Sequence, residues 1–330
     1  MSKLALITGV TGQDGSYLSE LLLENNYRVI GLHRRSSINN FERINHLLHN
    51  TNFILDEFDL TDPANVTHII NKYQADEFYN LAAMSHVGTS FNQPTTTFEI
   101  DTVGVVNILE AIRHYSSSTK FYQASTSEMF GRNYTLDSNG NKYQDEKTEL
   151  LPQSPYGVAK VASHRMVQIY REAYGLFATS GILFNHESPR RGENFVTRKI
   201  TKYIGQLINN NIHGSLKLGN LNAERDWGHA KDYVKAMWLM LQQDNPDDFV
   251  ICTGQTWKVL DFLKQSFEYV NLDYTKYVEI DQSLCRPAEV DYLRGNNNKA
   301  KNILNWNPTI SFNELVKDMI DNDIGLFSHA

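Results

Sequence analysis

The sequence predicts an α/β fold: a doubly wound parallel sheet of the Rossmann type, followed by a smaller C-terminal α/β lobe. Three observations carry that expectation. Through the first half, short apolar runs alternate with stretches of helical period. Several of those runs are apolar almost throughout, as strands are when both faces of a sheet are covered. The first run also passes directly into a glycine-rich turn, Thr8-Gly9-Val10-Thr11-Gly12-Gln13-Asp14-Gly15, that opens a helical pattern.

In chain order, strands are expected over residues 3–8, 28–32, 53–57, 77–81, 120–125 and 177–183. Helices are expected between them over about 15–25, 63–73, 98–115 and 155–174. From Asn185 the rhythm changes to longer loops with clustered Arg, Asn and Trp. A helix over about 231–241 and a strand over 249–252 are expected to rejoin the first sheet. The expected division is therefore a nucleotide-binding domain, 1–185 plus about 229–254, and a second lobe, about 186–228 with 255–330. No internal repeat is visible, and the most polar stretch is 133–141.

Composition narrows the class. Of the 330 residues, 41% are hydrophobic, enough for a substantial core. The formal net charge of −7 argues against an electrostatically driven nucleic-acid binder while leaving room for local basic pockets. Two cysteines, Cys252 and Cys285, are too few for a disulfide framework and suit a reducing compartment. The apolar run at residues 4–7 is too short for a secretory signal, and no stretch approaches the roughly 20 apolar residues of a membrane span. A cytoplasmic protein with neither nucleic-acid nor membrane partners is expected.

Gly9, Gly12 and Gly15 have the spacing of a dinucleotide-binding turn. One glycine permits the tight bend, one lets backbone amides approach a diphosphate, and one lets helix pack on strand. The helix N-terminus adds partial positive charge. After the second strand, an NAD site usually places an acidic residue for the ribose 2′-hydroxyl. Here the residues are His33-Arg34-Arg35-Ser36-Ser37, with two guanidinium groups and two hydroxyls suited to a 2′-phosphate. NADP is the better reading. Asp59-Leu60, after the third strand, is placed to flank the adenine.

Ser154-Pro155 opens a helix on which Tyr156 and Lys160, four apart, share a face. A phenol is a poor base at neutral pH, and nearby positive charge moves it toward usefulness. Alone, such a pair is commonly a surface contact; its place after the fifth strand gives it weight. That strand ends in Ser125-Thr126-Ser127-Glu128, where ligands of open parallel sheets bind. The same four residues also suit a helix cap.

With these motifs in place the chain resembles the extended short-chain dehydrogenase/reductases. Within them it is similar to the GDP-mannose 4,6-dehydratase family. The narrower likeness rests on four runs: Leu183 to Gly192, Asn194 to Lys199, Arg225 to Tyr233, and Arg286 to Asp291. The resemblance implies that Thr126, Glu128 and Tyr156 carry the chemistry and that Lys160 binds the nicotinamide ribose. It assigns cofactor contacts to Gly9, Thr11, Gly12, Gln13, Asp14, Gly15, Arg34, Arg35, Ser36, Ser37, Asp59, Leu60, Leu81, Ala82, Ala83, Ser85, Tyr156, Lys160, His186 and Arg191. Candidates for the substrate are Ser85, Ser127, Asn185, Asn194 and Lys199, with Arg225 and Arg286 for the diphosphate. No metal site is expected, because His86, His186 and His229 lack neighbours in ligand spacing. A homotetramer or homodimer is implied by the resemblance alone.

The implied reaction turns GDP-mannose into GDP-4-keto-6-deoxymannose. Three alternatives stay open: a GDP-manno-heptose substrate, a sugar-nucleotide 4-epimerase, and a dinucleotide-sensing protein. Two departures bear on the first. Met84 stands where the family has a polar Gln, and residues 131–151 form a longer segment, a candidate lid over the sugar.

Overall fold

The computed structural model describes residues 2–210, 212, 214–285 and 288–328. Seven strands form one parallel sheet: β1 (Leu4–Thr8), β2 (Arg28–His33), β3 (Phe53–Glu57), β4 (Glu77–Asn80), β5 (Lys120–Thr126), β6 (Ala178–Leu183) and β7 (Phe249–Ile251). Their order across the sheet is β3-β2-β1-β4-β5-β6-β7. After β3 the chain crosses to the other side of β1, so a crevice opens between the carboxyl ends of β1 and β4. Register brings those ends level: Thr8 lies beside Leu32 and Asn80, Asn80 beside Gln123, and Thr126 beside Leu183.

Helices cover both faces. On one face lie α1 (Gln13–Glu24) and a helix from Ala230 to Leu241, burying Leu18, Leu22, Val234, Met237 and Met240. On the other lie α2 (Pro63–Tyr73), α3 (Gly104–Tyr115) and α4 (Pro155–Tyr174), burying Val66, Ile70, Ile108, Ile112 and Val167. Local signals set their ends. Asp62 caps α2 ahead of Pro63, and Ser154 caps α4 by accepting from the Gly157 amide. Gly175, at φ +69°, closes α4 in the left-handed conformation. Instead of one helix over 98–115, Pro94–Phe98 leads through a π-helical turn, Glu99–Val103, into α3.

A third core lies apart from the sheet. It joins α5 (Val196–Ile208), α6 (Val259–Tyr269) and α7 (Phe312–Phe327) through Ile200, Ile204, Phe262, Phe267, Val316 and Ile320. The pair Asn185–Glu187 and Trp227–His229 links this region to the end of β6. Residues 131–151 line neither cavity of the crevice. Gln144 N donates to Arg294 O at 2.8 Å, and Val250 N donates to Glu146 Oε1 at 2.7 Å, so the segment braces the β7 edge. Among the described residues, no helix is long and apolar enough to cross a membrane.

Candidate active site

The crevice holds a cavity of about 580 Å³. One end is the glycine turn. Gly9 takes φ +66°, and a Cβ there would meet Ala82 N at 2.9 Å. A Cβ on Gly15 would sit 2.4 Å from Gly9 O, so only glycine lets α1 come this close. On Gly12 the nearest atom would be Gly9 O at 3.1 Å. Thr8 holds the opposite wall. Its hydroxyl donates to Asn80 Oδ1 at 2.7 Å and accepts from Leu81 N and Ala82 N at 3.0 and 3.1 Å.

Gly9, Thr11, Gly12, Gln13, Asp14 and Gly15 all line this cavity, as do Arg34, Ser36, Asp59, Leu60, Leu81, Ala82, Ala83 and Ser85. Arg35 and Ser37 do not, although all four residues from Arg34 to Ser37, in the loop after β2, are exposed. Asp59 is held below the usual carboxylate range. Burial opposes its charge, but hydrogen bonds from Thr61 and the Arg34 guanidinium outweigh it.

His186 and Asp14 close the floor. His186 Nε2 lies 2.7 Å from Asp14 Oδ2, and Nδ1 lies 2.8 Å from Phe184 O. Both ring nitrogens therefore face acceptors, which calls for the imidazolium. Burial works against that charge, and Asp14 outweighs burial: His186 is pushed up and Asp14 down. Gln13 adds a second tie, donating to His186 O and accepting from Ser188 Oγ.

The other end is a chamber lined by the residues expected to carry the chemistry. Thr126, Ser127 and Glu128 arrive at the end of β5, Tyr156 and Lys160 from the first turns of α4, and Arg191 from the loop beyond His186. Tyr156 is 7% exposed and Lys160 2%. Lys160 Nζ donates to Ala124 O at 3.1 Å and stands 5.8 Å from the Tyr156 ring centre. Burial pushes the Tyr156 phenol far up, and the charges of Asp101 and Glu128 add to this. A Thr126 hydrogen bond and Arg191 pull the other way. Burial lowers Lys160, against the attraction of Asp101.

A second cavity of about 190 Å³ adjoins the first, and Asn185 and Phe195 line both. Asn194, Lys199 and Arg225 belong here rather than to the first chamber. Arg225, 7% exposed, donates to Glu289 Oε1 at 2.9 Å. Arg286 lies outside the described residues.

Two contributors escaped the sequence reading. Phe195, under the Arg191 guanidinium at 3.5 Å, stands at the junction of the cavities. Asp101, on the π-helical turn, accepts from Met84 N at 2.8 Å, while its other oxygen has no partner among the described residues. A Phe between helix-start signals, and an Asp within a helical pattern, carry no distinctive signature.

The model of the family described as GDP-mannose 4,6 dehydratase matches residues 6–319. This chain belongs to that family. It is 51% identical to GDP-mannose 4,6 dehydratase 2 of Arabidopsis thaliana, over 98% of this chain and 87% of that one. Two solved structures share the fold. The dTDP-glucose 4,6-dehydratase of Bacillus anthracis, in complex with NAD, has a TM-score of 0.83 at 19% identity, covering 97% of this chain and 96% of that one. The UDP-glucose 4-epimerase of Thermotoga maritima, with UDP-glucose, has a TM-score of 0.85 at 24% identity, covering 99% and 100%. Fold alone therefore does not separate dehydratase from epimerase; the family membership does.

Proposed function

We propose that the chain is an NADP-dependent GDP-mannose 4,6-dehydratase, a hydro-lyase releasing GDP-4-keto-6-deoxymannose. One observation carries the reading beyond family membership: Glu128 and Tyr156 line one chamber, continuous with the glycine turn. A 4-epimerase needs no base at C5, whereas a dehydratase does.

The cavity suits a dinucleotide. The glycine turn leaves backbone room for a diphosphate, with the start of α1 behind it. Arg34 and Ser36, on the side where a 2′-phosphate would lie, favour NADP over NAD. Held by the glycine turn, Arg34 and Ser36, the dinucleotide would supply a hydride acceptor that is also the donor, serving C4 and then C6 of the sugar.

The chain's own groups move the protons. Tyr156 takes the proton of the C4 hydroxyl. The 4-ketone acidifies C5–H, Glu128 removes that proton, the same carboxyl donates it as water leaves C6, and Tyr156 gives the proton it took to C5 as C6 is reduced. Thr126 orients the hydroxyls, and Lys160 holds the ribose. Arg225 and Lys199 in the adjoining cavity receive the substrate diphosphate, with Arg286, Asn194, Asn185, Ser127 and Ser85 as further contacts. The division into 1–185 with about 229–254 and the remaining lobe follows this split between dinucleotide and sugar nucleotide. A cytoplasmic homotetramer or homodimer completes the proposal.

The purified protein is expected to convert GDP-mannose to a product lighter by one water, read by mass spectrometry, and GDP-manno-heptose more slowly. C4 epimers without water loss would refute it. Arg34→Ala is expected to weaken NADP about tenfold, on the scale of a charge-assisted hydrogen bond, and to leave NAD nearly unchanged. Arg35→Ala, off the cavity, has the smaller effect.

A further inference from the structure

Beside the reaction chamber runs a buried row with the look of a nucleophile triad: Ser125, His164 and Asp248, each 5% exposed or less. Ser125 Oγ lies 3.1 Å from His164 Nδ1, and His164 Nε2 lies 3.9 Å from Asp248 Oδ2. Hydrogen-bond direction decides what the row does. Gln168 Oε1 accepts from Arg165 Nη1 at 2.7 Å, and Gln168 Nε2 donates to Asp248 Oδ2 at 2.8 Å. Turning that amide over would set oxygen against carboxylate and NH₂ against guanidinium, so its orientation is fixed. The same Gln168 Nε2 faces His164 Nε2 at 3.2 Å. His164 Nε2 is therefore the bare, accepting nitrogen, and the ring proton sits on Nδ1, donated to Ser125. Burial favours the neutral ring as well. Asp248 is already filled by Arg171, at 3.0 and 2.8 Å, and by the Ser180 amide at 2.9 Å.

Such a histidine cannot take a proton from Ser125, so the row is not a nucleophile. With its oxygen accepting, Ser125 keeps an O–H for which no described residue offers an acceptor. Ser125 lines the cavity, following Ala124, whose carbonyl holds Lys160, and preceding Thr126. A buried hydroxyl proton left unbonded is costly unless a ligand receives it. We propose that Ser125 donates a hydrogen bond to an acceptor oxygen on the nicotinamide riboside half of the dinucleotide, and that His164 is the positioning residue that turns the hydroxyl toward it. The nicotinamide half is selected because Ser125 adjoins the Lys160 anchor, away from the glycine turn. The inference rests on the dinucleotide reading above.

Fluorescence titration with NADPH tests it, alongside adenosine 2′,5′-bisphosphate, which lacks the nicotinamide riboside. Ser125→Ala is expected to weaken NADPH about fivefold, the scale of one neutral hydrogen bond, and to bind the bisphosphate as wild type does. His164→Ala lowers NADPH affinity in the same direction by about two- to threefold, since the hydroxyl then rotates freely. His164→Asn, whose amide NH₂ stands where Nδ1–H stood, restores it. Removing both side chains costs no more than Ser125→Ala alone. Wild-type NADPH affinity in Ser125→Ala overturns the proposal, as does an equal loss for both ligands. A wild-type chain that binds neither ligand overturns it through the dinucleotide reading itself.

Discussion

Glu128 and Tyr156 reach the chamber from separate elements, and what surrounds each decides which proton it can hold. The phenol is pushed up by burial and by two carboxylates, so it keeps its own proton and becomes a base only under strong positive influence. In the proposed mechanism Glu128, half-buried at the end of β5, is the group that takes and returns the C5 proton. Glu128→Gln keeps size and hydrogen bonding but holds no exchangeable carboxyl proton. Its turnover of GDP-mannose is expected to fall about 10²- to 10⁴-fold with NADPH affinity unchanged; full activity would remove Glu128 from the mechanism. These residues were readable because the motifs lie at fixed offsets on one strand end and one helix turn. Asp101 was not. Its burial depends on the π-helical turn and on α4 packing over it, where Thr102 Oγ1 donates to Ala159 O at 2.8 Å, and a single sequence records neither.

At the scale of elements, the glycine turn separates a packing role from a binding role. A methyl on Gly15 would meet Gly9 O at 2.4 Å and Val10 Cα at 2.6 Å, so α1 must move off β1. A methyl on Gly12 meets only Gly9 O at 3.1 Å and faces the cavity, at φ −78°, where any residue is at ease. Gly15→Ala is therefore expected to lower the unfolding midpoint by several degrees, on the scale of a 1–3 kcal/mol overpacking cost. Gly12→Ala is expected to keep the midpoint and lose NADPH binding. Identical behaviour in calorimetry and titration would dissolve the distinction. The strands were legible almost to the residue because apolar runs bounded by polar turns leave little freedom. The break before α3 was not, because a π turn shifts the helical phase without changing residue types. Helices α5 to α7 also lacked a clear signal: their apolar faces make sense only against each other.

Across the whole molecule, the Asp14–His186 pair ties the start of α1 to the Asn185–Glu187 strand, and through its partner strand Trp227–His229 to the second lobe. It is an ion pair whose strength depends on pH. Asp14 is held below its ordinary 3.8, so its contribution is present above that value and is lost as pH falls through the lowered pKa. His186 is raised above its ordinary 6.5, so its contribution is full below 6.5 and is lost as pH rises through the raised pKa. The pair therefore stabilises most between about pH 4 and 6.5 and fades on the alkaline side. Asp14→Asn leaves the imidazole without its counter-charge and is expected to cost about 3 kcal/mol near pH 5.5, the scale for breaking a buried pair. That gap should narrow steadily toward pH 9, where the wild-type ring has also lost its proton. Denaturant unfolding of both proteins at pH 5.5, 7 and 9 measures it. A gap that stays constant would mean that His186 is neutral throughout and that the floor of the cavity is held by Gln13 and packing alone. If the gap closes as expected, NADPH affinity should fall over the same pH range, since Asp14 and His186 both line the cavity that receives it.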